Sequence, residues 1–143
     1  MPGFEVHFRL TMRWAMEEGM SEPDAEAVGR ASLLVDDLWP GSRKPIRHFN
    51  PTAPLMALIE MRRAVDSVRA GDRRAALTHL GRCLHSRQDG IGHGRAGLDH
   101  LLYRAGLLRR HPDFWDQMPV SVQRRLERST RTTVRRFLER TRG

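Results

Sequence analysis

The sequence predicts an all-α protein, a single compact bundle of about five to six helices with residues 1–143 in one domain. Three observations carry that reading. Apolar residues recur with a period near 3.6 along most of the chain, and few segments alternate with the period of 2 typical of strands. Glycines and prolines that stop helices fall between the periodic stretches, at Gly19, Pro40-Gly41, Gly71 and Pro119. With 143 residues, 39% hydrophobic and 29% charged, the chain has the length and composition of one soluble globular unit.

The first helix is expected from about Val6 to Gly19, with His7, Leu10 and Trp14 on one face. Ser21-Glu22-Pro23-Asp24 reads as a helix start: a serine N-cap, an early proline and an acid at the third position. The second helix follows to Trp39, and a loop rich in proline, glycine and basic residues covers Pro40 to Pro51. The third helix covers about Ala53 to Ala70. Asp72 is a natural N-cap for a fourth, about Arg73 to Gln88. Asp89 to Gly97 carries four glycines and is expected to bend. A shorter helix is expected from about Leu98 to Leu108, then a loop from His111 to Pro119 whose aromatics cover the bundle. The last helix, about Val120 to Arg140, buries Leu126, Thr130, Thr133 and Phe137.

Several polar residues fall on inward faces. On the second helix Ala25, Val28, Gly29, Ser32, Val35 and Trp39 share a small-and-apolar face that includes Asp36, whereas Asp37 falls with Glu26 and Arg30. A carboxylate buried there needs an arginine or a metal ion as partner, because burying it alone costs several kcal/mol. On the fourth helix, beside the stripe Ala76, Leu77, Leu80 and Leu84, His85 and Asp89 stand one above the other at i,i+4, and Gly81 leaves room for a close approach. Such a pair suits either a hydrogen bond or one divalent ion. His7, His48 and His93 add imidazoles from the first helix, the basic loop and the glycine-rich bend. The single cysteine, Cys83, excludes a disulfide framework and a thiolate zinc cluster, so N/O ligands and a zinc-type ion are the fitting pair.

The Ala76–His93 stretch resembles the helix signature of the zinc-dependent phospholipase C superfamily, which includes the single-strand nucleases. The family pattern Leu-Gly-x-x-Leu-His-x-x-x-Asp is matched by Leu80-Gly81, Leu84-His85 and Asp89, followed by His93. Arg47-His48-Phe49 resembles the family's His-Phe loop ligand, Val35-Asp36-Asp37 its helix-borne aspartate, and His7-x-x-x-Thr11 its N-terminal ligand helix. The nearer likeness is to small bacterial phospholipase-like proteins with a His-x-x-x-Asp-x-x-x-His core. The resemblance implies an all-helical phospholipase C/nuclease-like fold and two or three zinc ions. Asp36, His48, His85 and Asp89 would hold one ion, and Asp89 would bridge to a second bound by His7. Asp36, His85 and Asp89 would carry catalysis by metal-activated water at phosphorus. A third site would take His93 and His100, with Arg104 where the family has glutamate.

Charge bears on partners. Lys+Arg number 25 against 17 acids, a net charge of +8, and Lys44 is the lone lysine. The expected substrate is a phosphoester, a phospholipid head group or a small molecule. A nucleic acid is the alternative partner, with a single-strand nuclease as the alternative function, although the 6% aromatic content offers few platforms for base stacking. A non-enzymatic helical interaction module with a residual or structural ion is the third reading. The arginines of the last helix suit phosphate or lipid docking or a solvated face paired with Glu127 and Glu139. No apolar run reaches the roughly 20 residues of a transmembrane helix. The start, Met-Pro-Gly-Phe-Glu-Val-His, lacks the pattern of a secretory signal, so a cytoplasmic location is expected.

Overall fold

Two glycines close the first and third helical stretches through the same device. Gly19 and Gly71 both adopt the left-handed conformation, at φ 95° and 78°. The next amide reaches back five residues, from Met20 to Ala15 and from Asp72 to Ser67. Glycine alone accepts that conformation without strain, so these positions stop the helices where the sequence places the stops. The computed structural model describes residues 4–37, 53–92, 102, 105–109 and 114–142. Among them the architecture is entirely helical, with no strand.

Helix α1 opens as a π-helix, Glu5–Leu10, and continues as an α-helix, Thr11–Glu17. In the wide turn the Thr11 backbone N–H reaches the Val6 carbonyl, and the Thr11 hydroxyl donates to the same oxygen at 2.8 Å. Such π-turns concentrate at functional sites. Helix α2, Glu22–Asp37, starts after Ser21, whose hydroxyl donates to Asp24 at 2.7 Å. Helix α3 is Ala53–Arg69 and helix α4 is Arg73–Gly92. Asp72 caps α4 by accepting from the Ala75 amide at 2.9 Å. A single 3-10 turn, Trp115–Gln117, leads into helix α5, Val120–Thr141.

Helix α4 is the hub and packs on each of the four other described helices. Its approach to α2 depends on Gly81: a Cβ there would lie 2.6 Å from the Val28 carbonyl oxygen and 2.8 Å from the Ser32 amide. The room at Gly81 is thus filled by the backbone of α2. Fully buried Ala25, Ala57, Ala64 and Ala76 keep the neighbouring axes close in the same way. Leu80, Cys83 and Leu84 fill the centre against Val28, Met61, Val134 and Phe137. A second cluster, Val6, Leu10, Trp14 and Leu126, is covered by Trp115, whose ring centroid lies 5.7 Å from that of Trp14.

One expectation changes. The glycine-rich bend from Asp89 does not begin there, because α4 runs on through Gly90 to Gly92. Glycine costs a helix about 1 kcal/mol per residue. Gln88 and Asp89, both buried, hold this last turn against α1 and α5 through side-chain contacts and keep it helical. The expected helix over 98–108 and the start of the 111–119 loop lie mostly outside the described residues. Within them, Gly106 takes a left-handed turn at φ 71°.

Candidate metal centre

Two buried imidazoles and a buried carboxylate meet where α1 crosses α4. His85 and Asp89 come from α4, one turn apart, and His7 comes from the π-turn of α1. Their exposures are 0%, 2% and 7%. His85 Nε2 lies 3.1 Å from Asp89 Oδ2, and His7 Nε2 lies 3.3 Å from Asp89 Oδ1. The two imidazole rings stack at 4.3 Å between centroids, tilted by 31°. One ligand atom from each of the three residues lies within 4.8 Å of the others, so the group can hold a metal ion.

A hydrogen-bonded relay fixes which nitrogen His7 presents. Thr11 spends its hydroxyl proton on the Val6 carbonyl, so its oxygen accepts from Gln88 Nε2 at 2.7 Å. The same Gln88 amide nitrogen reaches Thr130 of α5 at 3.1 Å. The amide oxygen of Gln88 therefore faces His7, and His7 Nδ1–H donates to it at 2.8 Å. Neutral His7 then carries its lone pair on Nε2, on the Asp89 side. A lone pair and a carboxylate oxygen need a hydrogen or a metal ion between them. The separation of 3.3 Å is longer than the about 2.7–2.9 Å of a charge-assisted hydrogen bond. It matches the ~3.3 Å between ligand atoms on a tetrahedral ion with bonds of ~2.05 Å. A second partner that orients a histidine in this way is the usual support of a metal ligand.

Of the ligands expected from sequence, the structure brings together His7, His85 and Asp89. Asp36 lies in the last turn of α2 with its side chain outside the described set, and His48, His93 and His100 lie outside the described residues. Gln88 went unnoticed in sequence because an amide near a helix end looks like a solvated residue. Its position four before Gly92, on a turn expected to be the last, concealed its burial.

A second buried carboxylate was also missed. Glu60 of α3 is 0% exposed and accepts from His79 Nδ1 of α4 at 2.6 Å, with Arg63 Nη1 at 3.4 Å. The signal was present: Glu60 sits on the stripe Ala57, Met61, Ala64, as Asp36 sits on its own. Cys83, one turn beyond His79, is fully buried, and burial pushes its thiol up to about 11, so it remains a protonated, inert thiol.

At the foot of α1, Glu18 receives Arg131 Nε at 2.7 Å and Arg135 Nε at 2.8 Å. The Arg135 bond, then that of Arg131, holds its carboxyl below the usual range against the opposing effect of burial. Asp24 is held low in the same way, first by its bond with Arg73 of α4. These pairs fasten α1 to α5 and α2 to α4 without touching the His–Asp group.

Comparisons of the chain with family models, with curated proteins and with solved structures find no match. Among the described residues, no helix is long and apolar enough to cross a membrane.

Proposed function

We propose that the protein is a zinc-dependent hydrolase of phosphoester bonds, as its resemblance to the phospholipase C superfamily implies. The observation that carries the reading is the convergence of His7, His85 and Asp89 with the His7 tautomer set by Gln88. In this reading His7 Nε2, His85 Nε2 and an Asp89 oxygen are the protein ligands, and Asp36, His48, His93 and His100 supply further ones. A bound zinc ion provides Lewis acidity and a hydroxide at neutral pH. Gln88 orients His7, and the burial of all three side chains excludes competing water from the ligand atoms.

That burial also favours a second reading, an ion that only ties α1 to α4. Calorimetric zinc titration of the wild type, His85→Ala and Asp89→Asn separates the possibilities, together with hydrolysis of an activated phosphodiester. Stoichiometric binding lost in both variants, with hydrolysis abolished by chelator and restored by zinc, is the expected result. Binding without hydrolysis selects the structural ion. No binding, and a melting temperature indifferent to zinc and chelator, overturns both.

A further inference from the structure

A groove of about 270 Å³ runs between α4 and α5 on a different side of α4 from the His–Asp group. At 100° per residue, Arg87 and Ile91, which line it, lie roughly 160° around the helix from Asp89. Its walls carry Arg87 from α4 and Arg125, Arg128 and Arg136 from α5, with the hydroxyls of Ser129 and Thr132 between them. Among the described residues, no acidic side chain lines it.

The contrast with the neighbouring groove on α5 is informative. There Arg131 is spent on Glu17, Glu18 and Glu127, and Arg135 on Glu18. None of Arg87, Arg125, Arg128 and Arg136 is paired with a carboxylate among the described residues. Arg87 Nε is buried with no hydrogen-bond partner among the described residues.

We propose that this groove binds the phosphate backbone of a nucleic acid, without reading its sequence. Four guanidiniums with no carboxylate partner among the described residues, and the hydroxyls beside them, are the donor set that phosphate oxygens accept from. Arg125 to Arg136 span about 16 Å along α5, several phosphates of a duplex that carries one charge per ~1.7 Å of axis. Among the described residues, no aromatic side chain lines the groove, so it offers no platform for base stacking. A membrane surface fits less well. A helix that lies in the interface inserts an apolar face, and that face of α5, with Leu126, Val134 and Phe137, is already buried in the bundle.

The test is fluorescence anisotropy of a labelled mixed-sequence duplex over a salt series, in excess EDTA so that the outcome is independent of the metal centre. The wild type is compared with a variant carrying Arg125→Gln, Arg128→Gln and Arg136→Gln together, with its lysine counterpart, and with Arg62→Gln at an exposed position of α3. The three groove arginines of α5 are exposed, and circular dichroism verifies that their variants fold. The expected result is salt-dependent binding that weakens at least about tenfold in the glutamine variant. The slope of log K against log salt should become shallower by about two to three, one per lost phosphate contact. The lysine variant retains most of the affinity, and Arg62→Gln stays within about twofold because its charge lies outside the groove. Undiminished affinity in the glutamine variant overturns the assignment. So does the absence of duplex binding at low salt, whether or not phosphatidylserine vesicles bind.

Discussion

At the scale of single residues, Gln88 connects three helices through one amide. It accepts from His7 of α1 and donates to Thr11 of α1 and Thr130 of α5, while belonging to α4. Its two ends are not interchangeable, because the Thr11 proton is already committed to the Val6 carbonyl. Gln88→Glu keeps an oxygen for His7 but sets a second oxygen against the Thr11 hydroxyl oxygen. Gln88→Ala leaves buried partners unmet at both ends. Each is expected to lose about 1–3 kcal/mol of stability in chemical denaturation. Zinc affinity should fall about 10–100-fold in Gln88→Ala, the usual effect of removing a residue that orients a metal ligand. Equal zinc affinity in the variant and the wild type would show that the relay does not orient His7.

At the scale of elements, the helices that packing determines were legible in the sequence, and the turns that tertiary contacts decide were not. The buried faces of α2 and α5 are those the 3.6 period indicates: Ala25, Val28, Ser32 and Val35 on one, Leu126, Thr130, Thr133 and Phe137 on the other. Gly19, Gly71 and Asp72 set boundaries through backbone chemistry that is local, and so visible in sequence. The continuation of α4 past Asp89 was hidden, because what overrides Gly90 and Gly92 is a contact with His7, 81 positions away from Gln88. For the candidate site, an i,i+4 pair shows in sequence, whereas its meeting with α1 does not follow from any local rule. Gly81→Ala tests the α2–α4 approach. The new methyl would meet backbone atoms at 2.6 and 2.8 Å, which cannot yield as a flexible side chain can. Destabilisation of at least about 1–3 kcal/mol is expected, read as a lowered urea midpoint.

The ion pairs between elements give a pH dependence of definite sign. Glu18 and Asp24 have carboxyls held below their ordinary values of 4.5 and 3.8 by arginines of α5 and α4. A carboxylate lowered in the folded state contributes stability that is present above the unfolded value and is lost as the pH falls through the folded value. Stability is therefore expected to decline as the pH drops below about 4.5, as α1 loosens from α5 and α2 from α4. Glu18→Gln should flatten part of that decline while lowering stability at neutral pH. An unchanged acid limb in a urea-midpoint series would show that the Glu18 pair does not fasten α1.

At the scale of the whole molecule, the candidate centre and the hub coincide. The same helix that packs on every other described helix supplies His85, Gln88 and Asp89, and among the described residues the ligand from outside it comes from the first turns of α1. A zinc ion that binds the folded chain and not the unfolded one, at one hundred times its dissociation constant, contributes about 2.7 kcal/mol. For a chain of this length that is an increase of about 8–10 °C in melting temperature. The effect is not expected to be uniform. Among the described residues, the start of α1 is held on the α4 side by the packing of Val6, Leu10 and Trp14 and by the polar contacts of His7 and Thr11 with the last turns of α4. The α3–α4 pair has its own apolar core in Ala57, Met61, Leu80 and Leu84. Local opening without zinc should therefore begin at residues 5–11, and amide hydrogen exchange should slow there and at 85–89 on zinc addition, with little change across α3. Uniform slowing along all the helices would instead place the ion's effect on global unfolding alone. Slowing absent at 5–11 would mean that His7 is not among the ligands.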